Sequence, residues 1–141
     1  MILSKDEVNF YNDKGYLLVE DVITEDQHKE MLALVKDFFE RSKNVKNNDN
    51  IFDLEDGHCS TNPRLKRVKQ PHQHSQFFWD IIKQSKIEEI LIDLLGKDIS
   101  LKTSKLNTKA PGGGAAVEWH QDWAFYPHTN DNVLALGLML N

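Results

Sequence analysis

The stretch EWHQDW (residues 118–123) carries the strongest fold signal in the sequence. It belongs to a β-prone run from Val117 to Trp123, and alternate side chains of a strand point to the same side. The side chains of His120 and Asp122 would therefore project from the same face of the strand. An imidazole and a carboxylate are two of the three ligands of the facial triad that holds Fe(II) in non-haem oxygenases. A bare His-x-Asp pair is a weak signal, and the alternative is a half-exposed strand with a surface aspartate.

Aromatic residues and glycines flank this pair. The aromatic flank consists of Trp119, Trp123, Phe125 and Tyr126. Aromatic side chains beside converging polar groups are typical of a pocket lining, although the same residues would also serve as core. The glycines over 112–114 lie just upstream, where a flexible loop would form a pocket rim.

The N-terminal two-thirds of the sequence has helical character. Capping boxes that begin at Ser4 and Thr24 predict helices over about residues 5–14 and 25–42. Apolar spacing over 75–95 predicts a further helical region, with a break near its middle at Ser85. Helical signals therefore dominate until about residue 96.

Shorter segments separate and follow the helices. Residues 16–19 are β-prone, residues 42–62 are polar and predict a long loop, and residues 64–70 are basic. Strand-like patterns then cover 99–108 and 133–140. Because helices come first and strands follow, the order predicts an α+β fold with helices packed outside a sheet.

Composition narrows the class of protein. The 141 residues fit one domain, and 40% hydrophobic with 28% charged residues excludes collagen-like and strongly disordered chains. The net charge is −5 without a basic face, which disfavours nucleic-acid binding. Cys59 is the single cysteine, and no apolar run is long enough to span a membrane. Because no signal peptide is visible either, we expect a cytoplasmic protein.

Other candidate sites are weaker. His72 and His74 form a second i, i+2 pair, but they lie between Pro71 and a helix start, so we interpret them as a solvated turn. His58 and Cys59 are adjacent in the polar loop and lack the further Cys and His partners of a zinc site. The basic run at 64–69 is best interpreted as a solvated face.

The segment VEWHQDWAFYPHTNDNVLALGLMLN (117–141) closely resembles the metal-binding strand and following segment of the phytanoyl-CoA dioxygenase family. Members of that family are Fe(II)- and 2-oxoglutarate-dependent oxygenases. The segments over 8–27, 67–78 and 104–114 fall in the family's order, so the resemblance covers nearly the whole chain. Its most specific part is the His-Gln-Asp block with its aromatic flank.

The resemblance implies N-terminal helices packed on a double-stranded β-helix, a cupin-like jelly roll of eight strands. Only about three strands can be counted here, and the chain stops directly after an apolar segment. We therefore expect residues 1–141 to be a partial domain. In it, residues 1–96 form a mainly helical entry region, and residues 97–141 form the first jelly-roll strands. The C-terminal part of the barrel is expected to be missing, which would leave this chain inactive alone.

The resemblance also assigns roles to individual residues. His120 and Asp122 match the two proximal iron ligands, whereas the family's distal histidine lies downstream. The positions matching cosubstrate contacts are Lys105, Gln121, Leu138 and either Lys66 or Lys69. The positions that would border the substrate pocket are Trp123, Phe125 and Tyr126.

The chemistry implied is hydroxylation of an unactivated C–H bond of a small organic substrate, with O2 and with 2-oxoglutarate decarboxylated to succinate. Related halogenases replace the carboxylate ligand with Gly or Ala, so Asp122 favours hydroxylation. Two alternatives stand beside this hypothesis. One is a non-catalytic or truncated cupin-like binding protein, and the other is a cupin-like protein that holds zinc or another metal for different chemistry.

Overall fold

Helices and short strands make up the chain in the computed structural model, which describes residues 1–109, 114, 116–126, 129–130 and 132–140. The helices are α1 Lys5–Lys14, α2 Glu25–Ser42, α3 Pro71–His74, α4 Gln76–Lys83 and α5 Lys86–Leu95. The strands are β1 Phe52–Leu54, β2 Leu65–Lys69 and β3 Lys105–Asn107. A 3-10 turn follows at Asp122–Ala124. The α+β class is therefore confirmed.

The two predicted capping boxes begin their helices as expected. Ser4 Oγ accepts a hydrogen bond from the Glu7 amide, and the Glu7 carboxylate accepts from the Ser4 amide. Thr24 and Gln27 make the equivalent pair at the start of α2. Each box satisfies amides that have no partner inside the helix, which fixes where the helix begins. The predicted ranges of α1 and α2 match the structure.

The break near Ser85 is also confirmed. Ser85 Oγ accepts from the Ile87 amide 3.1 Å away and so begins α5 directly after α4. Gly96 follows the last residue of α5 with a positive φ of 89°, which glycine adopts without strain. The apolar side chains of both helices thereby face the same core.

The three strands form one antiparallel sheet in the order β1-β2-β3. Val68 is paired with Phe52 on one side and with Leu106 on the other. These side chains face the core, whereas the pairs Arg67–Asn107 and Lys69–Lys105 lie on the opposite, polar face of the sheet. One face of β2 therefore supports the core while the other presents cations.

The core lies between this sheet and helices α2, α4 and α5. Phe38 of α2 is 1% exposed, and its ring lies 6.2 Å from both Phe52 and Phe78. Leu65 and Val68 of β2 are 1% and 0% exposed, so this strand contributes two of the most buried side chains. Burial of these aliphatic and aromatic groups is the main force that holds the sheet against the helices.

Several strand predictions are wrong in detail. Residues 16–19 form no strand, and β1 lies inside 42–62, which the polar composition marked as a loop. The basic segment 64–70 forms the central strand, because its two aliphatic side chains fill the core. Of the strand expected over 99–108, only β3 forms.

The segment that carries His120 and Asp122 is not a strand either. Residues 117–121 have no regular structure, and a 3-10 turn begins at Asp122. Residues 133–140 likewise form no strand. Of the three strands, only β3 lies within 97–141, where the first jelly-roll strands were expected, and β1 and β2 lie in the region that was expected to be mainly helical. Within the described residues, no helix is long and apolar enough to cross a membrane.

Candidate functional site

His120 and Asp122 lie side by side although no strand aligns them. The 3-10 turn brings the Asp122 carboxylate back toward the imidazole, and the amides of Phe125 and Tyr126 both donate to the Asp122 carbonyl. His120 Nε2 and Asp122 Oδ1 are 3.1 Å apart. The proximity that the sequence predicted is therefore confirmed, whereas the element predicted to produce it is wrong.

The hydrogen bond at the other ring nitrogen fixes the tautomer of His120. Nδ1 lies 2.7 Å from the Glu118 carbonyl oxygen, which only accepts, so Nδ1 carries a proton and donates. In the neutral ring, the lone pair of Nε2 consequently faces the Asp122 carboxylate. Two electron-rich atoms at this separation need a positive partner, which is either a proton on Nε2 or a metal cation bound by both.

Phe125 supports the imidazole from the side. Its ring lies 5.4 Å from the His120 ring at 89°, an edge-to-face contact that restricts rotation of the imidazole. Trp123 donates from Nε1 to the Asn130 carbonyl 3.3 Å away. Trp123 and Phe125 are both exposed, and Tyr126 is half-buried. Of the aromatic flank, Phe125 is therefore the member whose ring contacts the pair, at the protein surface.

Lys105 comes close to the turn that carries Asp122. Its Nζ lies 5.8 Å from the centre of the Tyr126 ring, a cation–π contact. Lys69 is the cross-strand partner of Lys105, and its Nζ lies 3.0 Å from Asp53 Oδ1. Two of the three candidate lysines are therefore cross-strand partners on the polar face of the sheet, and Lys105 is the one that contacts the segment carrying Asp122.

Lys66 is placed differently. The pairing of β1 with β2 shifts register beside it, because Asp53 pairs with Arg67 and Leu54 pairs with Leu65. Lys66 is the extra residue of this β-bulge, and it has no cross-strand partner in β1. Of the two alternatives left open by the sequence, Lys69 is the one that lies opposite Lys105.

The remaining cosubstrate candidates lie apart from each other. Gln121 is exposed next to the pair, and its carbonyl accepts from the Ala124 amide in the 3-10 turn. Leu138 packs against the hydrophobic core, as does Leu140. The Leu140 carbonyl accepts from His28 Nε2 of α2 at 2.7 Å, so this segment is held against the helical layer.

Two other histidines have structural partners that the sequence did not indicate. His58 accepts from the Arg64 amide at Nδ1 and bonds the Ser42 carbonyl through Nε2, which ties the loop to the end of α2. His72 bonds Ser104, which lies 32 residues away in the sequence. Within the part of the chain that the structure describes, no group of three His, Cys, Asp or Glu side chains could hold a metal. His120 and Asp122 thus form a pair of candidate metal ligands rather than a complete set of three.

Comparisons with known proteins identify the family of the chain. The family model described as phytanoyl-CoA dioxygenase (PhyH) matches residues 11–141. The chain is 37% identical over 131 residues to a probable alpha-ketoglutarate-dependent hypophosphite dioxygenase from Stutzerimonas stutzeri. That alignment covers 93% of this chain and 46% of the relative, so the chain spans about half the length of the relative it matches. No solved structure is significantly similar. Because the family model covers almost all of its length, the chain belongs to the phytanoyl-CoA dioxygenase family.

Proposed function

We propose that the protein is an Fe(II)- and 2-oxoglutarate-dependent dioxygenase that hydroxylates a small molecule with O2. The observation that carries this proposal is the facing pair of His120 Nε2 and Asp122 Oδ1 in a chain of this family. The relative from Stutzerimonas stutzeri has the same cosubstrate dependence in its name.

The donor set fits a divalent metal. Two atoms bound about 2.1 Å from one metal ion at a right angle to each other lie about 3 Å apart. The observed separation of His120 Nε2 from Asp122 Oδ1 is 3.1 Å. The Glu118 carbonyl holds the proton on Nδ1 and leaves Nε2 free to coordinate, as backbone acceptors do for metal-bound histidines.

Within this proposal each residue has a defined task. The metal, when bound, supplies the redox chemistry with O2 and a coordination site for 2-oxoglutarate. His120 and Asp122 hold it on one side, and the Phe125 ring keeps the imidazole from rotating. A third ligand, the family's distal histidine, would come from outside the described residues. Trp123 and Tyr126 join Phe125 at the border of the substrate pocket.

The cosubstrate is a dianion, which suits the cations on the polar face of the sheet. We propose that Lys105 and Lys69 bind 2-oxoglutarate, since both lie on the polar face of the sheet and Lys105 contacts Tyr126. Gln121, exposed between the two ligands, is proposed as a further contact. Lys66 and Leu138 remain weaker candidates, because one lies at a bulge and the other packs against the core.

We further propose that this chain contributes a mainly helical entry region, over residues 1–96, and the first strands of a jelly roll, over residues 97–141. The relative is about twice as long, and the family resemblance supports the same arrangement. In this arrangement, the segment at 117–123 becomes a strand once a neighbouring strand supplies its hydrogen bonds.

Two kinds of bond are candidates for hydroxylation. The resemblance suggests a C–H bond of a small organic compound, whereas the relative is named for hypophosphite, which carries P–H bonds. Hypophosphite is therefore the first compound to supply, followed by small organic acids.

Succinate formation tests the proposal. The protein is expressed from its own gene, loaded with Fe(II) or with Zn(II), and given 2-oxoglutarate, O2 and hypophosphite. We expect succinate from the Fe(II) sample alone, and loss of it in His120→Ala. Equal turnover in His120→Ala would contradict the ligand assignment. Metal binding with no succinate from any substrate would favour a binding protein instead.

A further inference from the structure

We propose that His72 is a positioning residue that holds Lys105 opposite Lys69 by clamping Ser104. The inference rests on the proposed function, since it concerns the lysines assigned to 2-oxoglutarate. It goes beyond it by giving a role to a histidine that the sequence pattern marked as part of a solvated turn.

The contact itself joins two distant parts of the chain. His72 Nδ1 and Ser104 Oγ are 2.6 Å apart in a partly buried setting. One belongs to α3, directly after β2, and the other immediately precedes β3. A side-chain hydrogen bond of this length, closed over 32 residues, fixes where the two segments meet.

Ser104 is held at its backbone as well. The Gln70 amide donates to the Ser104 carbonyl at 3.0 Å, and the next pair along the ladder is Lys69 with Lys105. Because β3 is only three residues long, its alignment with β2 depends on the residues at its two ends, which are Ser104 on the Lys105 side and Thr108, whose amide donates to the Lys66 carbonyl, on the other. A shift of one residue would place Lys105 on the other face of the sheet.

The backbone and a neighbouring ring orient the imidazole of His72 toward Ser104. Pro71 is buried, and Gln70 before it has a left-handed φ of 47°, which turns the chain sharply out of β2. The Trp79 ring of α4 lies 5.7 Å from the imidazole at 32° and covers one side of it. Burial lowers the pKa of His72, and the charge of His74 lowers it further, so both effects favour the neutral ring.

A shift in the register of β3 would change the position of Lys105. Lys105 Nζ contacts the Tyr126 ring, and the Tyr126 amide donates to the Asp122 carbonyl. The chain of contacts therefore runs from His72 through Ser104 and Lys105 to the turn that carries Asp122. Loosening Ser104 would move Lys105 relative to that turn without removing any metal ligand.

Three variants of the gene-encoded protein test this role. His72→Ala removes the contact, His72→Asn offers an amide at the position of Nδ1, and His74→Ala is the matched control on the exposed side of α3. We expect His72→Ala to raise KM for 2-oxoglutarate about tenfold with kcat within about twofold, the size of effect that one lost hydrogen bond gives. His72→Asn should recover most of the affinity, and His74→Ala should match the wild type.

Further measurements keep the outcomes separate. Amide exchange at Gln70 reports the clamp without any turnover, and it should become at least about fivefold faster in His72→Ala. Ser104→Ala should reproduce the KM change if His72→Ala fails to fold. An unchanged KM in a folded His72→Ala protein, or an equal change in His74→Ala, would overturn the inference. If the wild type forms no succinate, the proposed function fails, and unchanged exchange at Gln70 would then overturn the clamp separately.

Discussion

At the scale of single residues, the carbonyl of Glu118 decides what His120 is able to do. This carbonyl accepts a hydrogen bond from Nδ1, so Nε2 is the ring nitrogen whose lone pair is available to a ligand. Nε2 faces Asp122. A backbone group rather than a second side chain therefore sets the orientation of the imidazole. Substitution of the Glu118 side chain leaves this interaction in place, which makes that position a suitable control.

Asp122→Asn tests the carboxylate ligand. The amide keeps the shape of the side chain but removes the negative charge, so Fe(II) binding should weaken strongly. Changes to residues that only support a ligand cost about 10- to 100-fold, and we expect a loss of more than about 100-fold in succinate formation here. Metal titration and turnover are measured beside Glu118→Gln, which should behave as wild type. Full activity in Asp122→Asn would show that Asp122 is not a metal ligand.

Asp93 makes the first residues of the chain sensitive to acid. Its Oδ2 accepts from the amides of Ile2 and Leu3 at 2.6 and 2.9 Å, and the side chain of Leu3 is 5% exposed. The hydrogen bond from Leu3, helped by that from Ile2, holds the pKa of Asp93 below its ordinary value of 3.8. A carboxyl whose pKa is lowered by folding stabilises the folded state above its unfolded pKa, and this contribution is lost as pH falls through the folded value.

Asp93→Asn should therefore lower the melting temperature at pH 7, where the wild-type carboxylate is charged. The difference should shrink as the pH falls below 3.8, because the protonated wild type also loses its charge-assisted hydrogen bonds. Thermal unfolding of both proteins at pH 7 and at about pH 3 measures this. A difference that is the same at both pH values would show that the charge of Asp93 is unimportant.

At the scale of elements, the two capped helices α1 and α2 were predictable, whereas strands β1 and β2 were not, for a physical reason. A capping box such as that of Ser4 and Glu7 joins residues three apart, so the sequence contains the whole interaction. A strand needs a partner that is distant in sequence. Phe52 lies in a polar stretch, and it becomes part of β1 because Val68 pairs with it. No local pattern contains that information.

Leu65→Ala tests whether the basic segment is a core strand. The side chain is 1% exposed in β2, so its truncation leaves a cavity and should lower the free energy of unfolding by about 2–5 kcal/mol. Urea denaturation measures the loss. Lys66→Ala, at the adjacent bulge, should change stability by less than about 0.5 kcal/mol. Similarly small effects at both positions would show that this segment is a solvated face, as its composition suggests, and not a core strand.

At the scale of the whole molecule, the candidate site combines predictable and unpredictable parts. The spacing of His120 and Asp122 was enough to predict that they meet, because both a strand and a tight turn bring such residues together. The choice of Lys69 over Lys66 depends on a register shift between β1 and β2, and the clamp on Ser104 depends on α3 folding back over β3. Both arise only when separate elements pack.

The segment around the His–Asp pair gives a test of the proposed jelly roll. Residues 116–121 belong to no helix or strand, and Trp119 is fully exposed. In a protein of these 141 residues, we expect their amides to exchange almost without protection. The amide of Val68, whose side chain is fully buried in the central strand, should be protected by at least about a thousandfold, as expected of a core element.

The proposed arrangement requires a gene product longer than these 141 residues, and that protein provides the comparison. There, the proposed jelly roll predicts that the amides over 117–123 become protected, because a neighbouring strand would accept their hydrogen bonds and cover Trp119. Protection should alternate along the segment, since every second amide of an edge strand faces its partner. If these amides exchange as fast in that protein as in the 141-residue chain, the turn is the final state of the site. The ligand pair would then be presented by a loop beside the sheet rather than from within a barrel.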